Sequence, residues 1–533
     1  MEETGAGERV SETAKIMRAA GILSMATLAS RFLGLLRDAV NAAMFGLGGG
    51  MDAFLVAFRL PNMLRALLAD GTLAVSFIPV FVELSEKEGS RRSDKLGRIA
   101  LTFLVFVLAG VVLAGVLFAP AIVGLVALGF TRDPAKFGLT VELTRIVFPF
   151  IGLVAITALL GGMLNGRGVF LAPALAPLAL NVAIIGAALI LAPLFDPPIK
   201  AIAWGVLIGG AAQLALQLGP TAKSGFRMRP DFDWKDPALK KVLLLMGPSV
   251  FGVAVYHVNV VISTFLASWL PDGSISYLYY AERIFQLPLG LFAVSVGVAS
   301  LPSMARLAAR EEWDVFRDTF ADSVRLIFFI VLPAAVGIFA LAEPIVLLLF
   351  KRGLFTSEMA SNTALALKCY VFALLPVAGA RVAAQSFYAM KDTKTPVKGA
   401  ALALLVNIAA SLILMAPLKH AGLALATAVS SWVNAIYLYW AFARRMGRIP
   451  WGRKGGLAVK ALFSSLIMGS AVYFGNVLTG GWADEGTGAL AVRVGFSIAV
   501  GVVAYGTLTY AMNVYETRRF LGLAARKLRL VKA

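Results

Sequence analysis

Apolar residues in this chain fall in long runs of about 20, the length a helix rising 1.5 Å per residue needs to cross a hydrocarbon core of ~30 Å. Few features restrict a fold more. Inside lipid every backbone N–H and C=O must bond within the protein, which leaves only helices and closed barrels. Barrel strands alternate apolar and polar residues over ~10 positions, and these runs do not alternate. Hydrophobic residues make up 59% of the 533, against ~45–50% in ordinary globular chains. The fold class is therefore all-α and integral to a membrane.

Reading apolar runs against polar breaks gives about fourteen spans. Their cores lie at 19–45, 52–82, 96–118, 139–164, 170–193, 201–219, 240–270, 274–302, 318–341, 361–390, 396–417, 420–443, 457–478 and 489–513. Pieces at 119–130 and 343–350 are too short to cross and read as interfacial. The first span is too long for a signal-peptide core and lacks a cleavage site, so it is expected to be retained. Pro61, Gly71, Pro149, Pro173, Pro177, Pro288, Pro333 and Pro376 fall inside spans and are candidate bends. The lone cysteine, Cys369, rules out an intrachain disulfide and reads as a packing residue.

A net charge of +19 in a soluble chain would point to nucleic acid. Here the cations sit in alternate loops, so no nucleic-acid partner is expected. Lys87, Arg91, Arg92, Lys95 and Arg98 follow the second span. Lys223, Arg227, Arg229, Lys235, Lys240 and Lys241 follow the sixth. Lys391, Lys394 and Lys398 follow the tenth, and Arg444, Arg445, Arg448, Arg453 and Lys454 the twelfth. The intervening loops are nearly bare: 46–51 has no charge and 271–276 only Asp272. By the positive-inside rule both termini are cytoplasmic. The basic stretch 516–533 then lies on the cytoplasmic side, against anionic lipid or in water.

The chain repeats weakly at an offset of roughly 223–226 residues. Phe77-Ile78-Pro79 matches Ser300-Leu301-Pro302, and 168–181 matches 394–407. Six spans preserve orientation, which implies two six-helix lobes related by an axis along the membrane normal, around a central cavity. The organisation read from this is 1–222 for the first lobe, 223–450 for the second, 451–515 for two further spans and 516–533 for a basic tail.

Arg31, Arg37, Arg65 and Arg283 lie inside apolar spans. An arginine at mid-bilayer costs at least ~2.5–3.5 kcal/mol and normally faces a protein-lined or wet cavity. Counting from the outer ends puts Arg31 and Arg65 ~21–22 Å deep and Arg37 and Arg283 ~14 Å deep. Spans one, two and eight belong to opposite lobes, so the cations are expected to meet across the cavity. The guanidinium fork matches phosphate bidentately, and several together suit a doubly charged pyrophosphate. Asp38 can orient Arg37, Glu282 adjoins Arg283, and Asp70 lies where it can govern opening. Arg59, Arg145, Arg325, Arg381 and Arg493 are read as snorkelling or structural cations. His257 is read as a packed hydrogen-bonding residue.

The stretches Ser30-Arg31-Phe32-Leu33-Gly34-Leu35-Leu36-Arg37-Asp38, Phe58-Arg59-Leu60-Pro61-Asn62-Met63-Leu64-Arg65, Asp70-Gly71, Phe77-Ile78-Pro79 and Tyr279-Tyr280-Ala281-Glu282-Arg283 resemble the MurJ (MviN) lipid II flippases, of the multidrug/oligosaccharidyl-lipid/polysaccharide exporter superfamily. The resemblance extends over nearly the whole chain. It implies transport of lipid II from the inner to the outer leaflet of the bacterial cytoplasmic membrane, for peptidoglycan synthesis. It implies that Arg31, Arg37, Arg65 and Arg283 are the cavity arginines, with Asp38 and Asn181 as polar substrate-binding positions. Asp70 stands where many members have Glu. The last two spans would form a groove for the lipid tail, leading to a side portal between spans one and eight. Some members bind sodium through two Asp, an Asn and a Thr. Asn407 and Thr427 match, but the Asp positions read Ser263 and Ser411, so any metal site is degenerate. The expected partners are lipid II, membrane lipids and the peptidoglycan synthesis machinery, with the protein a monomer.

No P-loop, HExxH or strand-borne GxSxG is present, so no enzyme chemistry is expected. Transport then draws on a sodium gradient, the membrane potential or substrate flux, with no other cofactor. Three other readings remain open from the residues alone: a flippase for another polyprenyl-pyrophosphate-linked oligosaccharide, a cation or drug exporter, and an intramembrane enzyme acting on a polyprenyl phosphate.

Overall fold

The computed structural model describes residues 2–68, 72–450, 456–478 and 486–519. Among the described residues there is no strand. Nineteen helices follow in order: α1 Glu2–Phe45, α2 Gly49–Leu68, α3 Thr72–Glu88, α4 Ser90–Leu117, α5 Ala119–Val126, α6 Pro134–Val147, α7 Phe150–Gly166, α8 Leu171–Gly186, α9 Lys200–Lys223, α10 Pro237–Ala267, α11 Ser274–Pro288, α12 Val294–Ala309, α13 Trp313–Ala340, α14 Ala342–Phe350, α15 Ser357–Val371, α16 Leu374–Ala389, α17 Lys394–Met446, α18 Leu457–Leu478 and α19 Thr487–Ala511. Nine helical segments among the described residues are long and apolar enough to cross a membrane, or ten if α15 and α16, bent by 41°, form one span. The 53-residue α17 contains a non-helical residue, Lys419 at φ 50°, between the two spans read from sequence at 396–417 and 420–443.

The expected second span, 52–82, is covered by α2 and α3, and residues 69–71 lie outside the described residues. Proline marks the bends at α6–α7 and α15–α16. Pro149 caps α7 directly after α6, and Pro376 sits in the first turn of α16 after the α15 bend. There a missing N–H breaks no helical bond. These two prolines are 227 residues apart (376 minus 149), close to the sequence repeat. Pro288, which cannot donate, is followed by a π-helical turn at Leu289–Ala293 before α12.

The chain divides into two compact units: Met1–Gly273 with Arg352–Phe355, and Ser274–Lys351 with Thr356–Ala533. The first unit thus extends to 273, beyond the lobe end read at 222, because α10 packs on α3 and α2. In this unit Phe77, Phe81, Ile99, Leu160, Met163, Phe226 and Val242 form a buried cluster joining α3, α4, α7 and α10. On α9, Gly205 and Gly209 face Ala187 and Leu180, so a Cβ at either position would collide with that neighbouring segment. This small-residue spacing lets backbones pack closely in lipid, where apolar burial alone does not drive association. One end of the unit is closed by Lys136 Nζ, 2.6 Å from Asp272 Oδ1 and 3.3 Å from Asp52 Oδ2. Asp52 also accepts from the Gly273 N–H at 2.8 Å.

In the second unit α13 packs against α18, and Tyr505 on α19 donates to the Phe329 carbonyl at 2.9 Å. The helices α18 and α19 therefore belong to this compact unit. Arg325 is buried, donating to Asp322 at 3.0 Å and to the Pro450 carbonyl at 2.6 Å, a structural role.

Candidate functional site

The first unit brings three of the sequence-derived residues into contact. Arg37 and Asp38 lie on α1, and Asn181 reaches them from α8. Arg37 donates through Nε (3.1 Å) and Nη2 (2.7 Å) to Asp38 Oδ1, and through Nη1 to Asn181 Oδ1 at 3.1 Å. The Asn181 amide donates in turn to the Ser30 carbonyl at 3.3 Å. Gly34 lies between these contacts; a Cβ there would stand 3.9 Å from the Asn181 amide nitrogen, so α8 comes close to α1 at this level. Asp38 and Asn181 are buried, and the Arg37 side chain is only 12% exposed. Water screens charges poorly in such a setting, so the guanidinium is held in one orientation by a carboxylate and an amide.

Arg31 is exposed on α1, one and a half turns before Arg37, and makes no ion pair among the described residues. Its exposed neighbours Leu28, Phe32 and Leu36 are apolar. Arg65 lies in the last turn of α2, where a cation suits the helix dipole, and its Nε donates to Asn62 Oδ1 at 2.9 Å. Arg59 donates to the Thr264 hydroxyl on α10, which fits its reading as a structural cation. Asp70 lies outside the described residues.

Arg283 belongs to the second unit. Its Nη2 donates to the Tyr279 hydroxyl at 2.6 Å, and its guanidinium lies 4.7 Å from the centre of that ring. Glu282 accepts from Gln286 at 2.9 Å. Asn62 and Tyr279 were not singled out from sequence as site residues. Their spacings, three before Arg65 and four before Arg283, are those of neighbours on a helix face and could have revealed them.

Of the degenerate metal set, Asn407, Ser411 and Thr427 lie on α17 in the second unit, while Ser263 lies on α10 in the first. Asn407 is buried; its Nδ2 is 3.4 Å from Ser430 Oγ, and its Oδ1 has no hydrogen-bond partner among the described residues. Thr427 donates to the Leu423 carbonyl at 3.1 Å. These are neutral oxygens. They fit a weakly held monovalent cation, which prefers oxygen donors, better than a divalent one. No group of three His, Cys, Asp or Glu positioned to hold a metal is found among the described residues.

Comparison with known proteins gives the family and the fold. A family model described as lipid II flippase MurJ matches residues 41–486. A probable lipid II flippase MurJ of Haemophilus influenzae is 34% identical over 92% of this chain and 98% of its own length. A lipid II flippase MurJ of Burkholderia cenocepacia is 34% identical over 81% of this chain and 84% of its own. Among solved structures, a lipid II flippase MurJ in an inward closed conformation superposes with a TM-score of 0.76 at 26% identity, covering 92% of this chain and 99% of that one. An inward-facing multidrug resistance MATE family transporter of the MOP superfamily shares the fold, with a TM-score of 0.65 at 14% identity over 79% of this chain and 96% of that one.

Proposed function

The chain belongs to the lipid II flippase MurJ family, and from that premise we propose that its arginines hold the pyrophosphate of lipid II while the head group crosses the membrane. It is a multi-pass membrane protein and a lipid II flippase serving peptidoglycan biosynthesis. The observation that carries the site assignment is the Arg37–Asp38–Asn181 network. A buried carboxylate and amide fix the orientation of the guanidinium, so its charge is already placed when a phosphate approaches. In the first unit Arg31, Arg37 and Arg65 supply three positive charges and Asp38 one negative, a balance of +2. A diester pyrophosphate carries two negative charges. Arg283, which donates to the Tyr279 hydroxyl, is assigned a phosphate-binding role within the second unit.

The site alternates in access between leaflets, with both termini on the cytoplasmic side of the inner membrane, as the basic loops support. The protein acts as a monomer and as a secondary transporter. The membrane potential favours this reading, because one charge crossing 100 mV is worth ~2.3 kcal/mol and the site is cationic. The neutral oxygens near Asn407 allow sodium to contribute. Asp70 is assigned to gating.

The test is a leaflet assay of labelled lipid II in cells depleted of their own flippase. Arg31→Ala should insert normally and leave lipid II on the inner leaflet. Full flipping by a well-inserted Arg31→Ala protein would refute the site. Collapsing the potential in wild-type cells should slow flipping if the energetics are as stated.

A further inference from the structure

The segment joining α9 to α10 lies on α4 in a fixed register. Asp236, buried, pairs with Arg92 at 2.9 Å; Asp233 pairs with Lys95 at 2.7 Å; Asp231 stands 3.8 Å from Arg98, and its N–H donates to the Thr102 hydroxyl at 3.0 Å. As the segment descends in number, α4 ascends, so the two run antiparallel. Both ends are pinned. Phe226 is buried in the cluster with Met163, and Asp236 caps α10 by accepting from the Ala238 N–H at 2.8 Å.

Between these anchors the segment presents rings. Trp234 stacks edge-on against Phe103 and Phe106, at centroid distances of 6.2 and 5.9 Å, and Phe232 against Phe106 at 5.6 Å. Yet Phe232 is 59% exposed, Phe106 54% and Trp234 47%. Arg98 is the last charged residue of α4; none occurs from Ile99 to Leu117. Phe103 and Phe106 therefore lie ~8 and ~12 Å beyond the final charge, already on the apolar stretch of the helix. The exposed rings continue that stretch.

The three acids of the segment are taken up by cations of α4. Arg227, Arg229 and Lys235 are exposed and have no partner among the described residues. The result is a compact group of aromatic rings beside unpaired cations, at the level where an apolar span meets a basic loop. Aromatic side chains favour that level of a bilayer, and basic residues there attract anionic headgroups.

We propose that residues 226–236 form an interfacial clamp for anionic phospholipid, with Phe232 and Trp234 at the boundary between headgroups and acyl chains and Arg227, Arg229 and Lys235 on the lipid phosphates. The ion-pair ladder sets the depth of the rings, and the unpaired cations set the preference for charge. Continuity with the bilayer-facing surface of α4 favours lipid over a soluble protein as the occupant.

Two measurements on the full chain in phosphatidylglycerol/phosphatidylcholine vesicles test this. In a Cys369→Ala background, a nitroxide placed by Phe232→Cys should be accessible to dissolved oxygen and shielded from a water-soluble nickel chelate, and one placed by Lys235→Cys should be the more accessible to the chelate. Equal chelate access at both sites, or spin–spin coupling to a second copy, overturns the proposal. The variant Arg227→Gln/Arg229→Gln/Lys235→Gln spares the ladder. It should retain roughly tenfold less phosphatidylglycerol relative to phosphatidylcholine after detergent extraction. Retention equal to wild type overturns the role of the cations.

Discussion

Replacing Arg37 with Gln separates what the arginine does for the fold from what it does for the substrate. Its guanidinium makes contacts of 2.7 and 3.1 Å with one oxygen of Asp38, whose side chain is 5% exposed. Without this guanidinium the buried carboxylate loses the two hydrogen bonds and the counter-charge that Arg37 supplies. Removing one member of a buried pair costs about 3–5 kcal/mol. Converting Asp38 to Asn in the same chain removes the buried negative charge and leaves an amide pair of similar size. Because neutral replacements of buried pairs are often tolerated, the double variant should recover about 0.5–3 kcal/mol of the loss, the range expected for directly coupled neighbours. Flipping should be lost in both variants, since Gln has neither the charge nor the fork. Thermal melting of the purified proteins gives the first comparison and the leaflet assay the second. A double variant that flips at the wild-type rate would refute the phosphate role; an Arg37→Gln protein that melts like wild type would refute the pairing argument.

Three further outcomes follow from the contacts. Asn181→Leu removes the acceptor of Arg37 Nη1 and the donor to the Ser30 carbonyl; it should cost about 1–3 kcal/mol in melting and slow flipping, whereas unchanged flipping would show that the amide does not steer Arg37. Burial pushes the Asp236 carboxyl up, but the Arg92 hydrogen bond, the Ala238 N–H and the charges of Arg92 and Lys95 outweigh it and hold the pKa below the ordinary carboxylate value. Its stabilisation is therefore present above the unfolded pKa of ~3.9 and lost as pH falls through the lower folded value. Asp236→Asn should melt below wild type at pH 7 with the gap closing below about pH 4, and a gap unchanged in acid would contradict this. At Gly129 the space a Cβ would occupy is filled by the Ser268 carbonyl and the Trp269 backbone, so Gly129→Ala should destabilise by about 1–3 kcal/mol, and an unaltered melting point would count against that packing.

The helices were legible because lipid imposes a single rule on backbone polar groups, and the runs that obey it are long. The bend at α6–α7 was less so, because Pro149 is one of several prolines inside apolar runs and nothing in the composition singles it out. The motif made Arg37, Asp38 and Asn181 visible, but nothing in a linear reading says that an amide 144 residues away would meet the guanidinium. The same limit hid the Lys136–Asp52–Asp272 cluster, whose members come from three separate segments. The loop after α9 was read only for its cations. Asp231, Asp233 and Asp236 meet Arg98, Lys95 and Arg92 in reverse order, an antiparallel pairing that a linear reading does not show.

The wide turn at Leu289–Ala293 carries one residue more than an α-helical turn would hold. Were that extra residue to pass into the helix on either side, the helix beyond it would change azimuth by about 100° relative to Arg283 while its length altered by only ~1.5 Å. A span built this way can present a different face to its surroundings without being withdrawn from the lipid.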